Sequence, residues 1–165
     1  HLHFLWFGII YLIMIEIDKI KTLEELEECL KLSIDYFSEY ESVEISIDPD
    51  LCKSNLFTLA RRGDYFRVLK EDSRVVGWIA AKVIRPYLHS RQTALYQLYY
   101  HCNLSGYKAV KALILVHESM IEAAKEKNVD LAITSSELDN SDSFNRILTK
   151  QGWIKRNKSL IYPIN

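Results

Sequence analysis

The chain switches repeatedly between two spacings of apolar residues, and the switches mark its elements. Ile15 and Ile17 alternate with Glu16 and Asp18, which predicts a short strand. Thr22-Leu-Glu-Glu25 has the form of a capping box and opens a helix striped by Leu23, Leu26, Leu30, Ile34 and Phe37. A connection, SEYESVEISIDPD, follows, with a short extended piece expected at Val43 to Ile47. Asp50 to Arg62 reads as a second, shorter helix carrying Leu51, Leu56, Phe57 and Ala60 and stopped by Gly63. Tyr65, Phe66 and Val68 begin a hairpin that turns at Glu71-Asp72-Ser73 and returns through VVGWIAAKVI. That return is continuously apolar, as a strand covered on both faces requires, and Gly77 is its candidate bulge.

The stretch Thr93 to Val129 orders the rest. Tyr96, Leu98 and Tyr100 alternate as in a strand, with Leu95, Gln97, Tyr99 and His101 assigned to the opposite face. A short turn through Ser105 and Gly106 follows. The period then becomes helical, with Ala109, Leu113, Val116, Met120 and Ala124 on one stripe. Asp130-LAITSS reads as a buried strand, which makes a βαβ unit with the strand and helix before it. A last helix within ELDNSDSFNRILTKQGW is capped near Asn140 or Ser141 and turns Phe144, Ile147 and Leu148 inward. Two closing strands, IKR and SLIYPI, are divided by Asn157-Lys158. The order predicts one α/β domain, with a mixed, mostly antiparallel sheet between helices on both sides.

Composition narrows this picture a little. The 165 residues are 48% hydrophobic and 26% charged, enough for one domain with its own core. With 21 basic and 22 acidic residues, the net charge of −1 gives no field that would favour nucleic acid or a membrane surface. Cys29, Cys52 and Cys102 are widely spaced, which fits a reduced, cytoplasmic compartment better than a disulfide framework or a zinc site. HLHFLWFGIIYLI, ahead of Met14, is almost wholly apolar yet too short to span a bilayer. Residues 1–13 are expected to be an extension of the frame, with the domain proper at 14–165. Monomer and homodimer both remain open.

The turn before the long helix carries candidate chemistry. Ser105 is a suitable N-cap, and Gly106 permits close approach of a ligand. The amides of Tyr107 to Val110 then lack partners within the helix, so the turn can receive an anion. Lys108 and Lys111 lie in the first turn, where the helix dipole disfavours cations, and no acidic residue three or four positions away offsets them. A docking polyanion would account for them, and so would simple solvation.

The order strand, turn, helix, strand, helix, Gly-aromatic, strand over roughly Tyr65 to Pro163 resembles the GNAT superfamily of acyl-CoA-dependent N-acetyltransferases. That family's V-x-P-x-x-R-G-x-G-x-G/A signature falls on Tyr100-His101-Cys102-Asn103-Leu104-Ser105-Gly106-Tyr107-Lys108-Ala109-Val110, with Leu113 and Ile114 as the following aliphatic pair. Gly106 matches. Ser105 stands at the arginine, Cys102 at the proline, and Lys108 and Val110 at the later glycine or alanine positions. Gly152-Trp153 is similar to the Gly-Phe that ends the family's last helix.

The resemblance implies transfer of an acetyl group from acetyl-CoA, as cosubstrate, to an amine acceptor. It implies cofactor contacts at Tyr100, Ser105, Gly106, Tyr107, Lys108, Ala109, Val110, Lys111 and Asn140, with Asn145 also in reach and no metal. A carboxylate often serves as base on the family's central strand, and a tyrosine on the last helix often protonates the thiolate. Here Gln97 and Leu148 stand at those positions, so the substitutes are Tyr99, His101 and, more weakly as an acid, Tyr162. His101 has a suitable unperturbed pKa for a base, near 6.5. Glu39, Glu41 and Glu44 are candidates to attract the amine, and Arg85, His89 and Arg91 to lie near either substrate. Cys102 and His117 read as packing residues, His117 having no second ligand at metal spacing. The departures from the motif support an alternative: a non-catalytic domain of the same fold that has lost acyl-CoA binding.

Overall fold

Tyr65–Glu71 (β2) and Arg74–Ile84 (β3) form the antiparallel hairpin on which the sheet is built. Asp72 and Ser73 turn the chain with φ of 50° and 68°, the left-handed pair that a two-residue hairpin loop demands. The computed structural model describes residues 14–39, 46–135, 142–156 and 159–164. The apolar run at 1–13, most of the extended piece at Val43 to Ile47, Glu41, Glu44, Asn140, Ser141 and Asn157-Lys158 lie outside the described residues.

Around the hairpin stand Ile15–Asp18 (β1), Ala94–Cys102 (β4), Leu131–Ser135 (β5), Ile154–Arg156 (β6) and Ser159–Pro163 (β7). The order across the sheet is β1-β2-β3-β4-β5-β7-β6, and only β4 with β5 runs parallel. Helices cover both faces. Leu23–Ser38 (α1) and Pro49–Arg62 (α2) pack Leu26, Cys29 and Leu56 on Phe66, Val68, Val75, Trp78 and Ala80. Gly106–Glu126 (α3) and Asp142–Lys150 (α4) lie on the other face, over Tyr65, Leu69, Ile79 and Leu95. The mixed, mostly antiparallel sheet between two helical layers is the expected architecture.

Local chemistry explains most boundaries. Thr22 accepts from the Glu25 amide at 3.2 Å, and Asp48 accepts from Asp50 and Leu51 ahead of Pro49. The second helix therefore starts at Pro49, slightly before the expected Asp50. The stripe of α1 is rotated from the expected one: Leu26, Cys29 and Ser33 are buried and Leu23 is exposed. Ser33 is inward because its hydroxyl accepts from Trp78 Nε1 at 2.9 Å and donates to the Cys29 carbonyl at 2.8 Å.

Two bulges aim the central strands. In β3 the register skips Val76, beside the glycine that sequence marked, and the freed Val76 carbonyl accepts from Asn103 at 2.9 Å. In β4 it skips Leu98, since Ala80 pairs with Tyr99 and Ala81 with Gln97.

Candidate active site

Among the described residues the sheet opens between β4 and β5. β4 pairs with β5 only from Ala94↔Leu131 to Tyr96↔Ile133. Beyond Tyr96 it keeps β3 on one side, and beyond Ile133 β5 keeps β7 on the other. Among the described residues, Gln97 to Cys102 therefore have no strand against the edge that faces β5. The Leu98 bulge falls at this point, where added local twist turns the two strands apart. What remains is a wedge whose floor is the Tyr96–Ile133 pair and whose wall is a row of backbone groups with no strand partner.

The bulge also corrects the expected faces. Leu95 and Gln97 point toward α3, but the extra residue reverses the alternation, so Tyr100 and Cys102 follow them there. Tyr99 and His101 turn to the α1 face, where Tyr99 lies 5.9 Å from the Trp78 ring and His101 lies 4.5 Å from Tyr36. The three candidates on this strand thus do not share a face. A single-residue register shift carries no mark in the alternation Tyr-Gln-Leu-Tyr-Tyr, which reads equally well in either phase. His101 is half-buried. Desolvation lowers its pKa below the usual value, opposed by the charge of Glu39.

A polar cluster sits at the floor, and sequence gave no warning of it. Gln97 and Thr134, the first residues past the last strand pair, reach each other by side chain: the Thr134 hydroxyl lies 2.6 Å from Gln97 Oε1. His117 of α3 completes the set, with Nε2 3.2 Å from Gln97 Oε1 and 3.1 Å from Thr134 Oγ1. All three residues are buried. His117 Nδ1 is 2.8 Å from the Leu113 carbonyl, so that nitrogen carries the hydrogen and donates it there. Burial drives the His117 pKa down to about 4, so the ring is neutral and Nε2 is an acceptor. One hydroxyl hydrogen would then face two acceptors. Half a turn of the Gln97 amide removes the conflict, letting its N–H groups donate to Nε2 and to Thr134 Oγ1. The reading of His117 as structural fits this burial, but the residue links three elements rather than filling space.

At the top of the wedge, β4 hands over to α3. Ser105 occupies the N-cap position with extended backbone, though its hydroxyl makes no cap bond. Gly106 has φ +58°, and a Cβ built there would meet nothing within 4 Å. Tyr107 is 78% exposed, so no side chain of its own blocks the turn. Ala109 and Val110 are half-buried, and Lys111 is exposed without an ion pair among the described residues. Lys108 is different from expectation. It forms an ion pair with Glu71 at the end of β2. The partner that sequence sought along the helix comes from another strand.

Other candidates fall away from the wedge. Tyr162, on β7, pairs with Ala132 of β5, so β5 separates it from β4, and its ring meets Trp153 at 5.6 Å. Leu148 is fully buried where the resemblance places a tyrosine. Arg85, His89 and Arg91 precede β4 and lie at its other end, far from the α3 turn. The Tyr100 hydroxyl donates toward the Cys102 sulfur, and burial pushes both groups up. Among the described residues no three His, Cys, Asp or Glu side chains gather to hold a metal, and no helix is long and apolar enough to cross a membrane.

A parallel pair that splays beside a bulge, under a glycine-led helix, defines the fold of the GNAT acetyltransferases. Comparison with solved structures gives the same fold. An N-acetyltransferase from Staphylococcus aureus Mu50 superposes with a TM-score of 0.66 at 15% identity, covering 92% of this chain and 99% of that one. Ard1 from Thermoplasma volcanium gives 0.62 at 14% identity, over 92% and 98% of the two chains. A chain of the NatC complex bound to Gag peptide and CoA gives 0.61 at 16% identity, over 92% and 99%. No protein-family model and no curated protein sequence matches, so the likeness is carried by structure.

Proposed function

We propose that the chain is an acyl-CoA-dependent N-acyltransferase that moves an acetyl group from acetyl-CoA directly to an amine. One observation carries the reading: the unpaired edge of β4 leads from the sheet's opening straight to the first turn of α3. An extended amide-bearing arm would add to that edge as a strand does, and a pyrophosphate would meet the α3 amides over Gly106. The residues present fit such a ligand, since the turn is open and the edge has polar groups to pair. The thioester supplies an acyl group already activated for attack. The amine approaches from the α1 face, where Tyr99 and His101 lie. His101, neutral at pH 7, takes the proton from the amine through bridging water, and edge amides of β4 stabilise the oxyanion. As it collapses the C–S bond breaks, and CoA leaves as its thiol with the proton relayed back. One structurally similar protein was solved with CoA and a peptide, which supports a site that takes a CoA thioester together with an amine-bearing acceptor.

Three features favour a second reading, a domain of this fold without catalysis: Lys108 is held by Glu71, Gln97 is locked in the buried cluster, and Leu148 has no proton to give. Calorimetric titration with acetyl-CoA separates the two. Micromolar binding that Gly106→Trp abolishes in a folded protein supports the enzyme. Absence of binding at millimolar ligand supports the second reading.

A further inference from the structure

We propose that Gln97, Thr134 and His117 form the floor of the acyl site and restrict the donor to short acyl groups, acetyl above all. The proposal rests on the acyl-CoA reading above and adds which residues set the size of the group transferred. The free edge of β4 runs from Gln97 to Cys102, about 20 Å at strand spacing. An arm lying on it can advance only to the point where β5 takes the edge, at Tyr96. There the gap is closed by side chains as well as backbone, because Thr134 and Gln97 touch across it at 2.6 Å.

The floor cannot easily yield. His117 stands behind the Gln97–Thr134 contact, its ring fixed by the Leu113 carbonyl and met edge-on by Tyr100, Phe144 and Trp153 at 5.5 to 5.9 Å. A longer alkyl chain would have to push an amide, a hydroxyl and an imidazole apart and leave their buried polar atoms without the partners they have now. Behind the ring there is room. An open pocket of about 210 Å³ lies between α3 and the turn after α4, with Ile114, Ile121, Trp153 and Tyr162 beside His117 and with the exposed Glu118, Glu122, Lys125 and Gln151 completing its lining. His117 and Gln97 therefore stand as a partition between the wedge and a space that a longer chain could fill.

The test titrates CoA, acetyl-CoA, butyryl-CoA and octanoyl-CoA into the wild-type protein, Gln97→Ala and His117→Ala, each checked for folding by its unfolding midpoint. Wild type should prefer acetyl-CoA over octanoyl-CoA by about tenfold or more, the scale on which a closed pocket rejects added methylenes. Either folded variant should cut that ratio at least about fivefold, each thioester being read against the same variant's affinity for CoA. Equal affinity of wild type for the acetyl and octanoyl thioesters overturns the floor, and this measurement needs no variant to fold. A ratio unchanged in a folded variant overturns it too. Wild-type protein that binds none of the four overturns the acyl-CoA reading itself; binding without a length preference removes only the floor.

Discussion

Glu71, the last residue of β2, and Lys108, in the first turn of α3, form an ion pair that ties the hairpin to the mouth of the proposed cofactor site. The Glu71 side chain is mostly covered, at 17% exposure, whereas that of Lys108 is 42% exposed. The pair therefore leaves the ammonium reachable while cancelling its charge. An arriving pyrophosphate must share Lys108 with the carboxylate. Glu71→Gln should free the lysine and tighten acetyl-CoA binding by about threefold at low salt, the size of a partly exposed pair. The gain should shrink as salt rises. Calorimetry at two ionic strengths reads both effects, and weaker binding in the variant would mean that the pair builds the site instead of competing with it.

His101 should control the acid side of the rate profile. Burial lowers its pKa and Glu39 partly restores it, so the base loses its activity only below the usual histidine range. Acetyl transfer to an amine that is itself unprotonated across the range should lose rate only at pH values where a free histidine would already be protonated. His101→Gln should reduce kcat by about a hundredfold and remove that limb, with acetyl-CoA affinity unchanged. A variant with the wild-type rate and the wild-type limb would exclude His101 as the base.

Gly77 is where the hairpin admits β4. A Cβ there would come within 2.5 Å of the His101 carbonyl oxygen and 3.1 Å of Cys102 Cα, both backbone atoms of the neighbouring strand. Gly77→Ala must push β4 away exactly where its edge is proposed to hold the cofactor arm. The cost should be about 1–3 kcal/mol of unfolding free energy, as for overpacking elsewhere. Urea denaturation checks it, and a variant as stable as wild type would show that β4 moves freely against β3.

The architecture was legible in sequence because it follows from period. The switch from two-residue to three- or four-residue spacing after Ser105, the capping box at Thr22 and the apolar run around Trp78 each specify an element without help from its neighbours. The site was legible only in part. Ser105 and Gly106 mark the turn by their own chemistry. The Leu98 bulge leaves no trace in composition, because β4 is apolar or aromatic on both faces and either phase buries comparable surface. The cluster of Gln97, His117 and Thr134 joins residues 17 to 37 positions apart, and each alone reads as an isolated polar group. Lys108 shows the same limit, since its partner lies 37 residues away on another strand.

Acid should unfold the protein partly through His117. In the folded chain the ring resists protonation until about pH 4, because it is fully buried, and the hydrogen bond it donates to the Leu113 carbonyl only partly offsets that. In the unfolded chain the same group takes a proton near pH 6.5. Between those values the unfolded state binds more protons, so stability rises with pH across the window and falls as the solution is acidified. Above about pH 6.5 neither state is protonated and this contribution is flat. The full loss by pH 4 is about 3 kcal/mol, a large fraction of the stability of a domain this size. His117→Gln keeps a polar side chain in the cluster but cannot titrate. Urea unfolding at intervals from pH 7 to pH 4 should give a wild-type curve that falls more steeply than the variant's by about that amount. Parallel curves would mean that the ring is protonated in the fold or reaches water, and the neutral-ring hydrogen bonding assigned to Gln97 and Thr134 would fall with it.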